Sequence, residues 1–426
     1  YINNICNYYI MFTTESHKLI NEISPYIQSL NDNKNFIKKR IVNNTVKYIY
    51  NEIISAEREV YSLLKNNKIT QTFEMFDNKK DKKFPSVFSS HFVPDYIRKY
   101  TKEHIFGYSK IFFNFFGHKI TLKFALLNED DMHKNVLGNN LIINSLIWLY
   151  IASKHSKKHC AETLYIFCYL TPFKKNLPMN NYNVLSPENC NSAVTTTCTK
   201  NGEICIYRKE EFLKVLIHES FHIFGLDFSS MPTLRLKKKI MGIFPIQSDM
   251  EISESYAETW ATIMNSFLCA YNLLDNLLVE NSFEEFLIHA DYCIRIEQIF
   301  SLFQTVKILN FMNMNYNNLY DSDQISISAR RYLYKENTNV FPYYILKTLF
   351  LCNIDKFLGW CLKENNNNIF NFNKTPTSID NFGKFIEELY KKKSFLKQIK
   401  KAESIENANI SPTIINTTRM TLFEIN

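Results

Sequence analysis

Residues 206–228 read IYRKEEFLKVLIHESFHIFGLDF, and this stretch decides the fold and the chemistry that the sequence predicts. Its apolar residues recur at the spacing of a helix face, which predicts a buried helix over residues 209–224. Glu210 and Glu211 fall in the first turn of that helix, where acidic side chains interact favourably with the helix dipole. Gly225 follows the last apolar residue and is typical of a helix end.

The centre of this helix carries an HExxH motif, His218-Glu219-Ser-Phe-His222. Residues four apart share a helix face, so both imidazoles can bind one metal ion. Neutral imidazole suits zinc, which lowers the pKa of a water that it binds to about 7. Glu219 stands beside the first ligand, where it can take a proton from that water. We therefore predict one Zn²⁺ per chain, with His218 and His222 as metal ligands and Glu219 as the catalytic base.

Two histidines need a third ligand, and the sequence offers three arrangements. The first is the metzincin spacing, which would place the ligand at Phe228, a residue that cannot bind a metal. The second uses Asp227, which lies one residue too early for that spacing but could be brought in by a tight turn. The third arrangement uses the pattern Glu254-Ser-Tyr-Ala-Glu258 on a second predicted helix. Its two carboxylates share a helix face, so one can bind zinc while the other accepts the free N–H of a ligand histidine. We predict Glu254 as the ligand, with Glu258 and Asp227 supporting the ligand side chains; exchanged roles for Glu254 and Glu258 remain an alternative.

Two local signals flank the motif. Ser248-Asp-Met-Glu251 forms a capping box, which predicts that the second helix begins there. Upstream, Asn201-Gly202 between two β-prone runs predicts a two-residue hairpin turn. That register would place Lys200 opposite Glu203, and Cys198 opposite Cys205. The ten cysteines include no CxxC pair, so free thiols in a reducing compartment are expected, with a Cys198–Cys205 disulfide as the alternative.

The HExxH motif followed by ExxxE on a second helix resembles the gluzincin metallopeptidases, which include thermolysin-like enzymes and the anthrax lethal factor. The resemblance covers residues 190–262 and implies a zinc-dependent hydrolase that cleaves peptide bonds. In thermolysin-like enzymes, an edge strand that opens with Asn-Ala pairs with the substrate. Asn191-Ser-Ala193 occupies a similar place, so the resemblance implies that Ser192, Ala193 and Val194 bind the backbone of a peptide or protein substrate.

A looser resemblance extends beyond this region. Five stretches are similar to uncharacterised HExxH proteins of nucleocytoplasmic large DNA viruses: TPFKKNLP (171–178), NCNSAVT (189–195), the stretch 206–228, SESYAETWA (253–261) and RMT (419–421). An Asn-, Lys- and Ile-rich composition, typical of an AT-rich genome, is compatible with that origin. The alternative function is a structural or virion-associated protein that keeps the zinc fold without catalysis.

Charge and hydropathy indicate which binding partners and which cellular compartment to expect. The net charge of +8 is spread along the chain, so we do not expect nucleic-acid binding. The sequence contains no apolar run of about 20 residues, so no transmembrane helix is predicted, and no signal peptide is recognisable. We therefore expect an intracellular protein, in the host cytoplasm or virion if it is viral, whose oligomeric state stays open. Met11 precedes a helical stretch, so residues 1–10 are expected to lie upstream of the true start.

The predicted fold class is α+β. We expect a mainly helical protein with a small mixed sheet and an edge-strand hairpin packed on the HExxH helix, followed by a helical C-terminal half. The predicted organisation is a helical region at 1–83, a zinc metallopeptidase domain at 84–275, a helical region at 276–400 and a polar tail at 401–426.

Other polar residues are candidates for an oxyanion-stabilising group or for a metal site. A peptidase needs a group that stabilises the oxyanion, and Tyr256 and His289 are candidates. For both, an ordinary packing role is favoured. His155, His159 and Cys160 have helical spacing that suits a metal, but the sequence supplies no complete ligand set around them.

Overall fold

A computed structural model of the chain describes residues 11–30, 40–76, 82–127, 135–274, 282–366, 368–406 and 416–426. Its longer helices are α1 (Thr14–Ile23), α2 (Arg40–Lys65), α3 (Asp95–His104), α4 (Asn140–His155), α5 (Phe212–Ile223), α6 (Leu234–Ile243), α7 (Ser253–Asn272), α8 (Ser282–Phe311), α9 (Gln324–Tyr332), α10 (Ile354–Glu364), α11 (Pro376–Leu389) and α12 (Lys393–Glu406). Its strands are β1 (Thr70–Met75), β2 (Gly107–Phe115), β3 (His118–Leu126), β4 (Thr163–Thr171), β5 (Ala193–Thr195) and β6 (Asn201–Arg208). Helices dominate and the strands form one mixed sheet, which confirms the α+β prediction.

These elements separate into two compact units that are interleaved along the chain. The sheet unit comprises Tyr48–Lys174, Asn191–Ser230 and Glu424–Asn426. The helical unit comprises Tyr1–Lys47, Lys175–Cys190 and Met231–Phe423. The sequence-derived boundaries at residues 83, 275 and 400 mark consecutive stretches and do not coincide with these units, because hydrophobic periodicity does not tell which distant segments pack together.

The sheet has the strand order β1-β2-β3-β4-β6-β5. β2 runs antiparallel to both of its neighbours, β1 and β3. β3, β4 and β6 are parallel, and β5 runs antiparallel to β6. β2 and β3 meet in a tight turn at Phe116 and Gly117, where φ is 51° and 92°. Two successive positive φ angles are the geometry of a type I′ hairpin turn. β5 is thus the outermost strand at one end, and β6, beside it, leads into α5.

Because side chains alternate across a sheet, helices pack on both of its faces. α4 and α5 lie on one face, where the rings of Trp148 and Phe221 stack with centroids 5.7 Å apart. Gly202 of β6 lies directly against α5, since a Cβ added there would come within 2.5 Å of Ile223 Cδ1. The other face is covered by α3 and by an aromatic cluster around Tyr169.

The predicted hairpin turn at Asn201-Gly202 is wrong. Both residues lie inside β6 and pair with β4. The chain reverses over residues 196–200 instead, and Val194, not Cys198, lies opposite Cys205. The glycine serves the close approach of α5 rather than a turn, so the Asn-Gly signal was misleading here.

The cysteine prediction is also corrected. Cys160 and Cys198 form a disulfide, so neither free thiols at both positions nor a Cys198–Cys205 bond describes the structure. Cys205 is a buried free thiol. Lys200, expected in a cross-strand pair, forms an exposed salt bridge with Glu162 at 3.2 Å. Pairing of β4 with β6 brings the two disulfide partners together, and this pairing was not visible in the sequence.

The helical unit is built around α7 and α8, which pack along each other. The rings of Phe267 and Phe286 meet between them with centroids 5.8 Å apart. The helical C-terminal half is therefore confirmed within the described residues. Across those residues, no helix combines the length and the apolar character needed to cross a bilayer.

The predicted capping box at the start of α7 is not formed. α7 begins at Ser253, and no side chain caps it. The hydroxyl of Ser248 donates to the carboxylate of Glu336. The amide of Glu251 donates to Asn339 Oδ1 at 2.9 Å. Both capping residues are thus engaged with another loop of the helical unit.

Residues 416–426 do not form a polar tail. The stretch from Thr417 to Phe423 is buried. Glu297 Oε1 accepts hydrogen bonds from the amides of Leu422 (2.8 Å) and Phe423 (3.2 Å) and from the Thr421 hydroxyl. Carbonyl groups of the segment accept hydrogen bonds from four buried side chains, Gln304, Lys307, Tyr344 and Lys347. This burial was not predicted, because the segment is held by hydrogen bonds from buried side chains of distant helices.

Candidate metal centre

The helix α5 carries the HExxH motif and has well-defined ends. It starts after Glu211, whose φ of 61° is left-handed and whose amide donates to Glu424 Oε1 at 2.7 Å. The first turn therefore begins later than predicted, and Glu211 precedes it. Gly225 has φ 62°, its amide donates to the carbonyl of His222, and the next amide bonds to Phe221. This is a Schellman motif, and it confirms Gly225 as the helix end.

His218 and His222 occupy successive turns on one face of α5, as their spacing predicts. Their Nε2 atoms lie 3.2 Å apart, and the two rings are inclined by 76°. The residues are only 6% and 5% exposed. Two buried imidazole nitrogens that face each other at this distance either share a proton in an N–H···N hydrogen bond or direct their lone pairs at one cation.

Asp227 holds the second of these rings. Its Oδ2 lies 2.6 Å from His222 Nδ1, and its Oδ1 accepts hydrogen bonds from the amide (3.2 Å) and hydroxyl (2.8 Å) of Ser229. The tight turn after Gly225 brings this fully buried carboxylate back to the helix. An acceptor at Nδ1 favours the tautomer in which Nε2 has a free lone pair, which is the form that binds metals.

Glu219 follows His218 on α5 and is 8% exposed. Burying a carboxylate costs free energy unless it pairs with a nearby positive charge or accepts a hydrogen bond. The structure thus places an acidic group one residue from a potential ligand, inside the same unit, as the motif requires.

β5 contains the residues predicted to bind substrate. Ser192 immediately precedes the strand, and its carbonyl accepts the Tyr207 amide at 3.0 Å. Ala193 and Val194 pair with β6 on one side only. In the described part of the chain no strand lies on the other side. β5 is therefore an edge strand of the described sheet.

Glu254 and Glu258 lie in the first two turns of α7, in the helical unit. Glu254 is partly exposed, whereas Glu258 is 1% exposed. Tyr256, between them, is fully buried among aromatic rings, and its hydroxyl accepts a hydrogen bond from Asn365 Nδ2 at 2.9 Å. Burial raises the pKa of this phenol well above its usual value. Tyr256 is therefore a packing residue and is unsuited to stabilise an oxyanion.

The remaining candidate residues lie in different parts of the structure. His289 belongs to α8 in the helical unit, and its Nε2 lies 3.7 Å from Glu285. His155 Nε2 lies 3.3 Å from Glu52 Oε2, within hydrogen-bonding distance. The structure does not group His155 with His159 and Cys160 in a possible metal site. His159 and Cys160 lie instead beside Cys198.

Two features of the site region were missed from the sequence. The first is Glu424, which binds the start of α5 from a position 213 residues away. The second is the bond between Cys160 and Cys198. Neither has a local signal, since both depend on contacts between segments that are far apart in the sequence.

Comparison with known proteins found no family model, no curated protein and no solved structure that matches this chain.

Proposed function

We propose that this protein is a zinc-dependent peptidase. The observation that carries the proposal is the pair of buried imidazoles on α5, whose Nε2 atoms lie 3.2 Å apart while Asp227 binds the far side of the His222 ring. All of these groups lie in the sheet unit.

The spacing of the two nitrogens fits a zinc ion. Ligands about 2.05 Å from zinc in a tetrahedral site lie about 3.3 Å from each other. The separation of 3.2 Å is close to this value. Imidazole donors backed by a carboxylate are also the donor set that zinc prefers.

Zinc held here would polarise a peptide carbonyl and lower the pKa of a bound water to about 7. The chain's own contribution to the chemistry is Glu219. Its carboxylate would accept the proton of the attacking water and then deliver it to the leaving amine.

We assign the third ligand to Glu254, with Glu258 as a supporting carboxylate. Asp227 is the less suitable ligand because its oxygens are bonded to His222 and Ser229. Glu254 is partly exposed and lies one turn before Glu258 on α7, as the ExxxE pattern of the proposed ligand helix requires. Glu254→Ala should therefore lower the zinc content, and Glu258→Gln should weaken zinc binding by about 10- to 100-fold.

The substrate in this proposal is a peptide or protein in extended form. Its main chain would pair with the outer side of β5, along Ser192, Ala193 and Val194, because strand addition needs an unpaired edge. Backbone pairing fixes the direction of the peptide but selects few side chains.

Metal analysis gives the first test. Elemental mass spectrometry of the oxidised protein should find one zinc per chain in wild type and almost none in His222→Ala. His91→Ala, which alters an exposed histidine of the same unit, should keep the wild-type content. Equal zinc in wild type and His222→Ala would refute the assigned site.

Hydrolysis gives the second test. Wild type should cleave members of a peptide library, and Glu219→Gln should keep its zinc while losing about 10²- to 10⁴-fold in rate. A variant that retained both zinc and full activity would exclude Glu219 as the base. Zinc-loaded wild type that cleaves nothing would favour the alternative function, a structural or virion-associated protein.

A further inference from the structure

A second group of metal-binding side chains lies in the sheet unit. One imidazole nitrogen of His159 and the Sγ atoms of Cys160 and Cys198 lie within 4.8 Å of one another. Cys160 is fully buried, Cys198 is partly exposed and His159 is exposed. The exposed imidazole can rotate toward the sulfurs, and ions can reach the group from solvent.

The backbone holds this group together independently of the disulfide. The amide of Ala161 donates to the carbonyl of Thr199 at 2.7 Å, and the amide of Thr163 donates to Lys200 at 3.0 Å. Pairing of β4 with β6 continues from there. Opening the S–S bond therefore leaves the two sulfurs beside each other.

The segment around Cys160 is also fixed on its other side. The amide of Cys160 donates to the carbonyl of Lys157 at 3.0 Å, which closes the turn that contains His159. Ala161 and Cys198 have positive φ values of 52° and 32°. Such conformations are uncommon for residues with a side chain, and here they aim both cysteines into one small space.

We propose that, when the disulfide is reduced, His159, Cys160 and Cys198 form a second metal site that takes Zn²⁺ or another thiolate-binding divalent ion. Two thiolates and one imidazole supply three ligands of the tetrahedral set that zinc favours, and water completes it. The proposal is independent of the peptidase function, since it uses none of the residues of the HExxH site.

The chemistry balances with a dithiol as reductant. The dithiol transfers two electrons and two protons to the S–S bond and closes to its own disulfide. Cys160 and Cys198 become thiols, and both protons leave as the ion binds the thiolates. Metal and disulfide thus exclude each other, and the redox state decides the occupancy.

The site is joined to the helix α5 by one bond. The amide of Cys198 donates to the carbonyl of His222 at 3.2 Å. Cys198 thus contacts the main chain of the residue that ends the HExxH motif.

Cobalt binding tests the proposal. The full-length His218→Ala/His222→Ala variant is reduced with dithiothreitol, freed of it under argon and titrated with Co²⁺. We expect one additional Co²⁺ per chain with a thiolate-to-cobalt charge-transfer band in the near ultraviolet, and neither in the oxidised protein. Reduced and oxidised wild type should show the same difference in bound Co²⁺ and in the charge-transfer band, which tests the proposal without the double substitution.

Two cysteine variants separate the site from other thiols. Cys198→Ser should abolish the charge-transfer band, whereas Cys205→Ser, a buried thiol of β6 outside the site, should keep it. A reduced wild-type protein without the band overturns the proposal, and so does a band that persists in Cys198→Ser.

Discussion

Asp227 Oδ2 lies 2.6 Å from His222 Nδ1, and this contact orients the ring whose other nitrogen faces His218. A fully buried carboxylate here fixes the direction of the imidazole ring. The turn that follows Gly225 thus contributes to the candidate metal centre as directly as the helix does.

Replacing Asp227 should weaken zinc binding without removing a metal ligand. We expect Asp227→Asn to raise the Kd for zinc by about 10- to 100-fold, because the negative charge behind His222 is lost. Competition with a chromophoric chelator measures this Kd. Ser229→Ala, which removes one donor to Asp227 but keeps the charge, should have a smaller effect. An unchanged Kd in Asp227→Asn would contradict the role assigned to that carboxylate.

Gly202→Ala should destabilise the sheet unit. The added Cβ would lie 2.5 Å from Ile223 Cδ1, so α5 must shift or Ile223 must leave its rotamer. Overpacking of this kind costs about 1–3 kcal/mol, measurable as a lower apparent free energy of unfolding in urea.

Two further variants test the cause. In the Ile223→Ala background, which lacks both the Cδ1 and the Cγ1 that the added Cβ would meet, the cost of Gly202→Ala should shrink. Gly138→Ala, where a Cβ meets nothing within 4 Å, should change stability by less than about 0.5 kcal/mol. Equal costs of Gly202→Ala in both backgrounds would show that the contact with Ile223 is not responsible.

Glu297→Ala should release the segment that contains Thr421. The substitution leaves three buried donors without their acceptor, which costs about 3–5 kcal/mol. Limited proteolysis should then cut within residues 416–426 at protease concentrations that leave wild type intact. Glu297→Gln keeps an acceptor oxygen and should be milder; if it is as damaging as alanine, the charge of Glu297 rather than its acceptor capacity holds the segment.

Glu336 should make stability depend on pH. Burial raises the pKa of its carboxyl to about 7, although Ser248 and the Phe341 amide donate to it. A folded-state pKa above the unfolded value means that the stabilisation is complete below about pH 4.5 and is lost as the pH rises through 7. The stability of wild type relative to Glu336→Gln should therefore fall between pH 5 and pH 8, by about 2 kcal/mol. Urea unfolding at both pH values measures this, and a difference that is constant or rises with pH would contradict it.

Local patterns of the sequence predicted local structure well. The spacing of apolar residues placed α5, and Gly225 marked its end, because a left-handed residue after a helix has a strong preference for glycine. The β-prone runs IFFNFF (111–116) and KITLKFALL (119–127) fall largely within the hairpin of β2 and β3.

Predictions failed where a local signal competed with a distant partner. Asn201-Gly202 has the sequence of a turn, yet the glycine is needed where Ile223 approaches the sheet. Ser248 has the sequence of a helix cap, yet its hydroxyl is bonded to Glu336. The same limit applies to Glu424, whose contact with Glu211 spans almost half of the chain.

The interleaving of the two units restricts how this protein can be cut or recombined. A contiguous gene fragment covering residues 84–275 would encode the HExxH helix, but it would omit β1. The edge of β2 that pairs with β1 would then be exposed. It would also omit Glu424, the acceptor for the amide that precedes α5. No single cassette carries the sheet unit, so exchange of the candidate catalytic region between proteins requires that both units move together.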